Sequence, residues 1–428
     1  MTSNTAKKGH AFILSMLASL FFMWGFISVL QDILVPHLKS VFDLNYTQSL
    51  LVSCTWFVTY FIMSLPCAFL LQRIGYKKCL VTGLLVMAAG CLLLLPAAEI
   101  AFYPLFLFAL FVTASGITLL QVAANPYVAV IGSPQTASSR LNLVQAMNTV
   151  GDTVAPMFGA WLILGRSVGG TAAAGTILTP AQKLADARSV ELPYLGIAAV
   201  LILLAVLFAF LKLPDLGSAT KRLASAERKK LSLWKHRNLV FGVPAIFMYL
   251  ICEIGVGSLF ISFVSRPEIG NMTTTDAGHY LTYLWGGMAV GRFVGAWLMT
   301  FIDAETVLAG AAVGAFALLM TVVFATGPVA MWALILVGLC HSIMFPTIFT
   351  LGIKGLGALT EEGSGLLIMA IAGGALADAQ GWIADHHGLQ VSFLLPAVCE
   401  LYALFYALWG CKVTNPQAPE QLQRGADA

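Results

Sequence analysis

Residues 103–131 read YPLFLFALFVTASGITLLQVAANPYVAVI, an apolar stretch without one charged side chain. About 20 such residues are enough for a helix to cross the hydrocarbon core of a membrane. The whole chain of 428 residues is 59% hydrophobic and only 10% charged, and its mean hydropathy is +0.87. That composition leaves too little polar surface for a soluble protein of this size. It predicts an all-α polytopic membrane protein.

Eleven further windows have the length and apolarity of a membrane span, which predicts twelve transmembrane helices. The first six cover residues 11–35, 49–71, 79–97, 103–131, 140–164 and 192–211. The second six cover residues 239–264, 277–301, 305–327, 329–353, 364–384 and 391–411. The first window follows two lysines but is too long for a secretory signal, so we expect it to remain as a helix.

The lysines and arginines collect in alternate loops, which predicts that both chain ends lie in the cytoplasm. Residues 1–211 and 239–412 then form two six-helix halves, joined by a cytoplasmic linker at 212–238 and followed by a cytoplasmic tail at 413–428. The net charge of +3 follows from this topology. We interpret the basic stretch within the linker as a solvated segment and expect no nucleic-acid partner. The partners expected are the lipid bilayer of the inner membrane and a small solute, with the protein functional as a monomer.

The two halves resemble each other in three places that occur in the same order along the chain. Residues 68–83 (AFLLQRIGYKKCLVTG) align with residues 295–310 (GAWLMTFIDAETVLAG). Two further sets align after a shift of roughly 220 residues. The first aligns Gln121, Pro126 and Gly132 with His341, Pro346 and Gly352. The second aligns Met147, Gly151 and Gly159 with Met369, Gly373 and Gly381. Internal repeats of this size favour two pseudo-symmetric six-helix bundles with a substrate site between them at mid-membrane.

Polar side chains form stripes on three helices of the first half, because residues three or four apart share a helix face. The stripes consist of Trp24, Ser28, Gln31 and Asp32; of Thr118, Gln121 and Asn125, just before Pro126; and of Asn142, Gln145, Asn148 and Asp152. Buried amides often join neighbouring helices by hydrogen bonds. They also donate to and accept from sugar hydroxyls, while an aromatic ring stacks on the apolar face of a sugar. We favour a sugar cavity for these stripes and keep helix-to-helix bonding as the alternative.

Several stretches resemble one family closely. FFMWGFISVLQDILVPHLK (21–39), LLQVAANPYVAVIG (119–132), RLNLVQAMNTVG (140–151) and FPTIFTLGIKGLG (345–357) are similar to the fucose permease branch, the fucose:proton symporter family of the major facilitator superfamily. The likeness covers nearly the whole chain. It implies a major facilitator fold in which two bundles rock about a central sugar site and import sugar with a proton. The superfamily's signature between the second and third spans is degenerate here, although Arg73 remains.

The resemblance also implies roles for individual residues. Asp32 matches the family's essential first-helix aspartate, and Trp24, Gln145 and Asn148 match residues that line its sugar cavity. Two positions depart from the fucose pattern, since Gln121 stands where the fucose permease has a glutamate and Phe345 where it has a tyrosine. Glu253 instead resembles the glucose, galactose and amino-sugar members. We therefore expect a hexose or N-acetylhexosamine as the substrate.

Ionisable side chains within apolar spans mark paths for substrate, ions or protons, because a charge in hydrocarbon is costly. Proton coupling is assigned first to Asp32, with Glu253 and Asp152 as second choices. The substrate-binding candidates are Trp24, Gln31, Gln121, Asn125, Gln145, Asn148 and His341. Arg292, Arg73, Pro126 and Pro346 are given gating or structural roles, and Asp378 and Glu400 receive none.

Four alternatives stay open. The coupling ion is H⁺ or Na⁺, and the same fold could run as an exporter of sugars or drugs. A membrane enzyme would need acids and histidines clustered with a metal or base motif. A sensor derived from a transporter would carry a large cytoplasmic extension. The sequence favours a transporter with no enzymatic activity, no cofactor and no bound metal.

Overall fold

The computed structural model describes residues 12–30, 46–100, 102–162, 191–211, 213–214 and 232–414. Within these residues, the first six helices are α1 (Phe12–Leu30), α2 (Tyr46–Ile74), α3 (Tyr76–Glu99), α4 (Tyr103–Val130), α5 (Ala137–Leu162) and α6 (Glu191–Phe210). The next six are α7 (Arg237–Val264), α8 (Thr274–Leu298), α9 (Ala304–Phe324), α10 (Gly327–Ile353), α11 (Gly357–His387) and α12 (Leu389–Gly410). Each predicted window overlaps one of these helices, so the prediction of an all-helical polytopic fold is confirmed.

Ten of these helices are long and apolar enough to cross a membrane by length and composition. The other two, α5 and α8, are more polar along their described residues. Helix α5 carries the longest of the predicted amide stripes, and α8 contains the buried Arg292. The two helices whose composition fits lipid least well are thus helices that carry polar side chains proposed to have a function.

The last three spans are interrupted. Helix α10 consists of Gly327–His341 and Met344–Ile353, separated by a turn. Helix α11 contains a tight 3₁₀ segment at Ala370–Ala377, and α12 ends in a π-helical turn at Tyr406–Gly410. Interruptions of this kind inside membrane spans free backbone groups that other parts of the protein must bond.

The chain divides into two compact units. One contains Met1–Ala124 and Met147–Asp215, and the other contains Asn125–Ala146 and Leu216–Ala428. The short middle segment joins the second unit because the first part of α5 bonds to α8 and α10. The Ser138 and Thr350 hydroxyls are 2.6 Å apart, and the Ser139 hydroxyl donates to the Ala296 carbonyl at 2.6 Å. Asn142 Nδ2 donates to the Thr347 hydroxyl at 3.2 Å.

The aligned glycines of the two halves occupy matching positions inside their own units. A Cβ atom on Gly151 of α5 would lie 2.3 Å from the Phe22 carbonyl oxygen of α1. A Cβ atom on Gly373 of α11 would lie 2.2 Å from the Phe247 carbonyl oxygen of α7. In each unit a glycine lets one helix backbone touch another, a device common at helix contacts in membranes. This agreement supports the internal repeat that the sequence predicts.

Candidate functional site

In the first unit, the polar stripe of α4 includes a buried amide. Gln121 Nε2 donates a 2.6 Å hydrogen bond to the Tyr60 hydroxyl of α2. Gln121 Oε1 is buried and has no hydrogen-bond partner among the described residues. A buried acceptor without a partner costs free energy on the order of 1–3 kcal/mol. This oxygen is therefore suited to accept a hydrogen bond from a ligand.

The α1 and α5 helices of the same unit approach closely beside further stripe residues. Asn148 Nδ2 donates to the Phe21 carbonyl at 3.1 Å, and a Cβ on Gly25 would lie 2.6 Å from an Asp152 carboxyl oxygen. The Trp24 ring is buried with its centroid 5.2 Å from that of Phe21. The structure thus brings Trp24, Asn148 and Asp152 to one helix contact. Gln31 and Asp32 lie outside the described residues.

In the second unit, two more stripe amides bond to each other. Gln145 Nε2 donates to Asn125 Oδ1 at 3.3 Å. Both side chains are buried, and Asn125 Nδ2 finds no hydrogen-bond partner in the part of the chain that the structure describes. Asn125 follows Gln121 by one helical turn on α4, so both side chains point from one face of that helix. This face presents one unsatisfied acceptor and one unsatisfied donor.

Pro346 accounts for the interruption in α10 and for the role of Arg292. A proline has no N–H to bond the carbonyl four residues earlier, which here belongs to Ser342. Arg292 Nε donates to that carbonyl at 3.1 Å, and Arg292 Nη1 donates to the Gln145 carbonyl of α5 at 3.0 Å. The buried guanidinium therefore ties α8 to the break in α10 and to α5. The structural role that the sequence suggested for Arg292 stays a prediction, now with named partners.

His341 ends the first segment of α10 and faces α12. Its Nε2 lies 2.9 Å from Glu400 Oε1, and the two side chains are 2% and 1% exposed. The Tyr249 hydroxyl of α7 donates to the His341 carbonyl at 3.0 Å. The structure therefore pairs the candidate His341 with a glutamate that the sequence left without a role.

Two other predicted residues have simpler surroundings. Arg73 is exposed in the last turn of α2, where a positive side chain complements the helix dipole. Pro126 lies inside α4. Sequence reasoning missed Arg140, which donates to the carbonyls of Val128, Ala129 and Ser133 at 3.3, 2.8 and 2.7 Å. Arg140 thereby caps the end of α4. In the sequence, the only sign of this contact is a basic residue shortly after the turn that follows α4.

Buried amides, carboxyls and one guanidinium inside helices that are otherwise lipid-compatible define a class of protein. Such groups in a multi-pass membrane protein mark a route for a polar solute or an ion rather than a structural core.

Comparison with known proteins agrees with this class. The model of the Major Facilitator Superfamily matches residues 12–377. The glucose/galactose transporter of Brucella abortus is 48% identical over 412 residues, which cover 96% of this chain and 97% of that protein. The L-fucose-proton symporter of Escherichia coli is 36% identical over 404 residues, 92% of each chain. The crystal structure of FucP in the outward conformation superimposes with a TM-score of 0.84 at 34% identity, covering 95% of this chain and 100% of FucP.

The chain belongs to the major facilitator superfamily, and within it to the fucose permease-like family.

Proposed function

We propose that this protein is a secondary active transporter that imports a hexose or N-acetylhexosamine together with a proton, by alternating access. The proposal is supported by relatives that are named as glucose/galactose and L-fucose-proton transporters and that match nearly the whole chain. We further propose an inner-membrane location, with both chain ends in the cytoplasm and a functional monomer. No enzymatic activity, cofactor or metal is part of the proposal.

One observation carries the sugar assignment. Gln121 Oε1 and Asn125 Nδ2, one acceptor and one donor a helical turn apart on α4, are buried polar atoms to which no described residue forms a hydrogen bond. A sugar hydroxyl both donates and accepts, so adjacent hydroxyls can satisfy both atoms. An apolar solute would leave both atoms without a hydrogen bond. A simple ion would leave at least one of the two atoms without a hydrogen bond. The arrangement favours a polyol among small solutes.

The remaining substrate-binding candidates add an aromatic surface and further amides. Trp24 supplies a flat ring for an apolar sugar face, as aromatic side chains commonly do in carbohydrate sites. Gln145 and Asn148 supply amides, and Gln31, outside the described residues, belongs to the stripe that the sequence predicts. We keep His341 as a candidate from the second half, although its Nε2 is already bonded to Glu400.

Removing the Gln121 amide should weaken sugar binding. Gln121→Ala deletes the unsatisfied acceptor and the bond to Tyr60, and one hydrogen bond of about 1.4 kcal/mol corresponds to a tenfold change in affinity. We expect Kd for the transported sugar to rise about tenfold by titration calorimetry. Gln135→Ala, on an exposed loop, is the matched control and should leave Kd unchanged. An unchanged Kd for the Gln121 variant would make this amide a helix-to-helix bond only.

Coupling needs a carboxyl that holds a proton in one access state and releases it in the other. We propose Asp32 for this role, with Glu253 and Asp152 as second choices and H⁺ as the coupling ion. Sugar binding would enclose the neutral acid, and opening to the cytoplasm would rehydrate it and release the proton.

Asp32→Asn tests this assignment. An amide cannot exchange a proton at ordinary pH, so accumulation against a gradient should be lost while sugar-for-sugar exchange persists. The measurement is uptake and counterflow by the same proteoliposomes. Asp303→Asn, at an exposed position just before α9, should retain both activities. Full accumulation by the Asp32 variant would remove that residue from the coupling mechanism.

The experiment that tests the function itself is uptake by purified protein in liposomes. Labelled glucose, galactose, fucose and N-acetylglucosamine are each offered with an inward proton gradient, a Na⁺ gradient or no gradient. Accumulation of one sugar with the proton gradient alone supports the proposal. Accumulation only with Na⁺ keeps sugar uptake but reassigns the ion. If a folded protein takes up no sugar under any gradient, the exporter or a different solute takes precedence.

A further inference from the structure

The His341–Glu400 pair is an isolated ionic contact inside the second unit. Its two side chains come from α10 and α12, they lie 2.9 Å apart between Nε2 and Oε1, and both are fully buried. Ionisable groups within membrane spans carry a high cost and mark proton or ion pathways when they face the protein interior. Neither the two amides of α4 nor the proposed coupling residue Asp32 accounts for this contact.

Burying the pair has a low free-energy cost only while the two side chains together hold one proton. A neutral histidine beside a protonated glutamate and an imidazolium beside a carboxylate contain the same proton and have the same net charge of zero. Loss of that proton leaves a carboxylate in the interior, where no described residue forms a hydrogen bond with Glu400 Oε2. An uncompensated buried charge is strongly unfavourable. The proton should therefore leave only when the surroundings change.

Among the described residues, the titratable and charged groups around the pair lie on α7, α8, α10 and α12. Helix α9 carries no ionisable residue after Glu305 near its start, and the α11 segment against α7 carries none. The groups that interact with the pair or with its immediate neighbours are Tyr249, Cys252 and Glu253 on α7, Arg292 on α8, Cys340 on α10 and Cys399 on α12. Arg292 is the one cation among them and Glu253 the one other carboxyl.

Arg292 lies between the pair and the break in α10. His341 is the last residue before the break in α10, and Arg292 bonds the carbonyl of the next residue, Ser342, at 3.1 Å. A carboxylate left on Glu400 would attract this guanidinium away from Ser342 and from the Gln145 carbonyl of α5. Loss of the proton would then weaken the contact among α5, α8 and α10. Conversely, weakening that contact would make loss of the proton more favourable.

We propose that His341 and Glu400 share one proton and form a second proton-binding site, which empties and refills once in each transport cycle. The inference rests on the proposed sugar transport and adds a site to it.

The test measures the number of protons carried per sugar in proteoliposomes for wild-type protein and Glu400→Gln. We expect the variant to carry one proton fewer per sugar, so that an inward gradient of about one pH unit yields an accumulation about tenfold lower. Sugar-for-sugar exchange, which needs no net proton movement, should stay within twofold, roughly the scatter of a neutral change. Glu305→Gln, which alters an exposed ion pair with Lys354, is the matched control and should keep the wild-type proton ratio.

A second variant covers the case in which the single change prevents folding. The double substitution His341→Gln and Glu400→Gln replaces the pair with two amides that can bond to each other without a shared proton. It should fold and show the same reduced proton ratio, whatever change in sugar affinity the loss of His341 brings. A wild-type ratio in either folded variant overturns the second site. A wild-type protein that couples no proton to sugar overturns the proposed symport instead, so the two failures are distinguishable.

Discussion

Gly151→Ala is expected to abolish most transport and to lower the melting temperature by several degrees. The added methyl would lie 2.3 Å from the Phe22 carbonyl oxygen and 2.9 Å from the Phe26 nitrogen. Both atoms are backbone, so no side chain can rotate aside and α1 must separate from α5. Overpacking of this kind costs about 1–3 kcal/mol, and more where a backbone must move. The same helices carry Trp24 and Asn148, so a separation also disturbs the proposed sugar site.

The repeat supplies a second test of the same contact. Gly373→Ala should be as damaging, because its methyl would lie 2.2 Å from the Phe247 carbonyl oxygen. Two glycines with open space around the added atom, Gly381 on α11 and Gly196 on α6, are the controls. Alanine at those positions should be neutral or stabilising by up to about 1 kcal/mol, because alanine is the better helix former. Thermal unfolding and sugar uptake are measured for all four variants, and equal behaviour of the four would refute the close-contact argument.

The helices could be predicted from the sequence because hydrocarbon imposes one simple requirement on each span. Every backbone group must be bonded within the segment, so a long apolar run can only be a helix. The alignment of Gly151 with Gly373 could be found for a similar reason. Each position needs the smallest residue, and that requirement leaves a visible trace in the sequence. The contacts that those glycines make required coordinates.

The candidate site was harder to predict, because its bonds join residues distant in the sequence. The stripe on α4 follows from helical spacing, but nothing in the spacing selects Tyr60 as the partner of Gln121. Glu400 was left without a role for the same reason. Its meaning comes from His341, 59 residues earlier on another helix. Which faces of α10 and α12 meet depends on packing among all neighbouring helices, and no local pattern encodes it.

Arg292→Lys is expected to reduce sugar uptake at least tenfold even though the positive charge is kept. The guanidinium bonds two carbonyls on different helices, Ser342 at 3.1 Å and Gln145 at 3.0 Å. A lysine is a single ammonium on a flexible stem and cannot reproduce the planar fork of donors. Losing one charged hydrogen bond in the interior costs about 1.5–3 kcal/mol, which corresponds to at least a tenfold change in an equilibrium. The Ser342 carbonyl has no helical partner because Pro346 lacks an N–H, so it depends most on the bond from Arg292.

The consequence should fall on the cycle rather than on sugar recognition. Arg292 bonds the backbone carbonyl of Gln145 and the break in α10, and losing a backbone contact leaves the Gln145 amide in place for the sugar. The other proposed sugar-binding amide, Gln121, bonds to Tyr60. We therefore expect the turnover number of the Arg292 variant to fall while the Kd for sugar stays within about threefold, a change of less than 1 kcal/mol. Arg266→Lys is the control, because an exposed pair with Glu268 contributes about 0–1 kcal/mol. Equal loss of sugar binding and turnover would instead assign Arg292 to the sugar site. Wild-type values for both would show that a lysine can bond the backbone at the break in α10 as well as an arginine does.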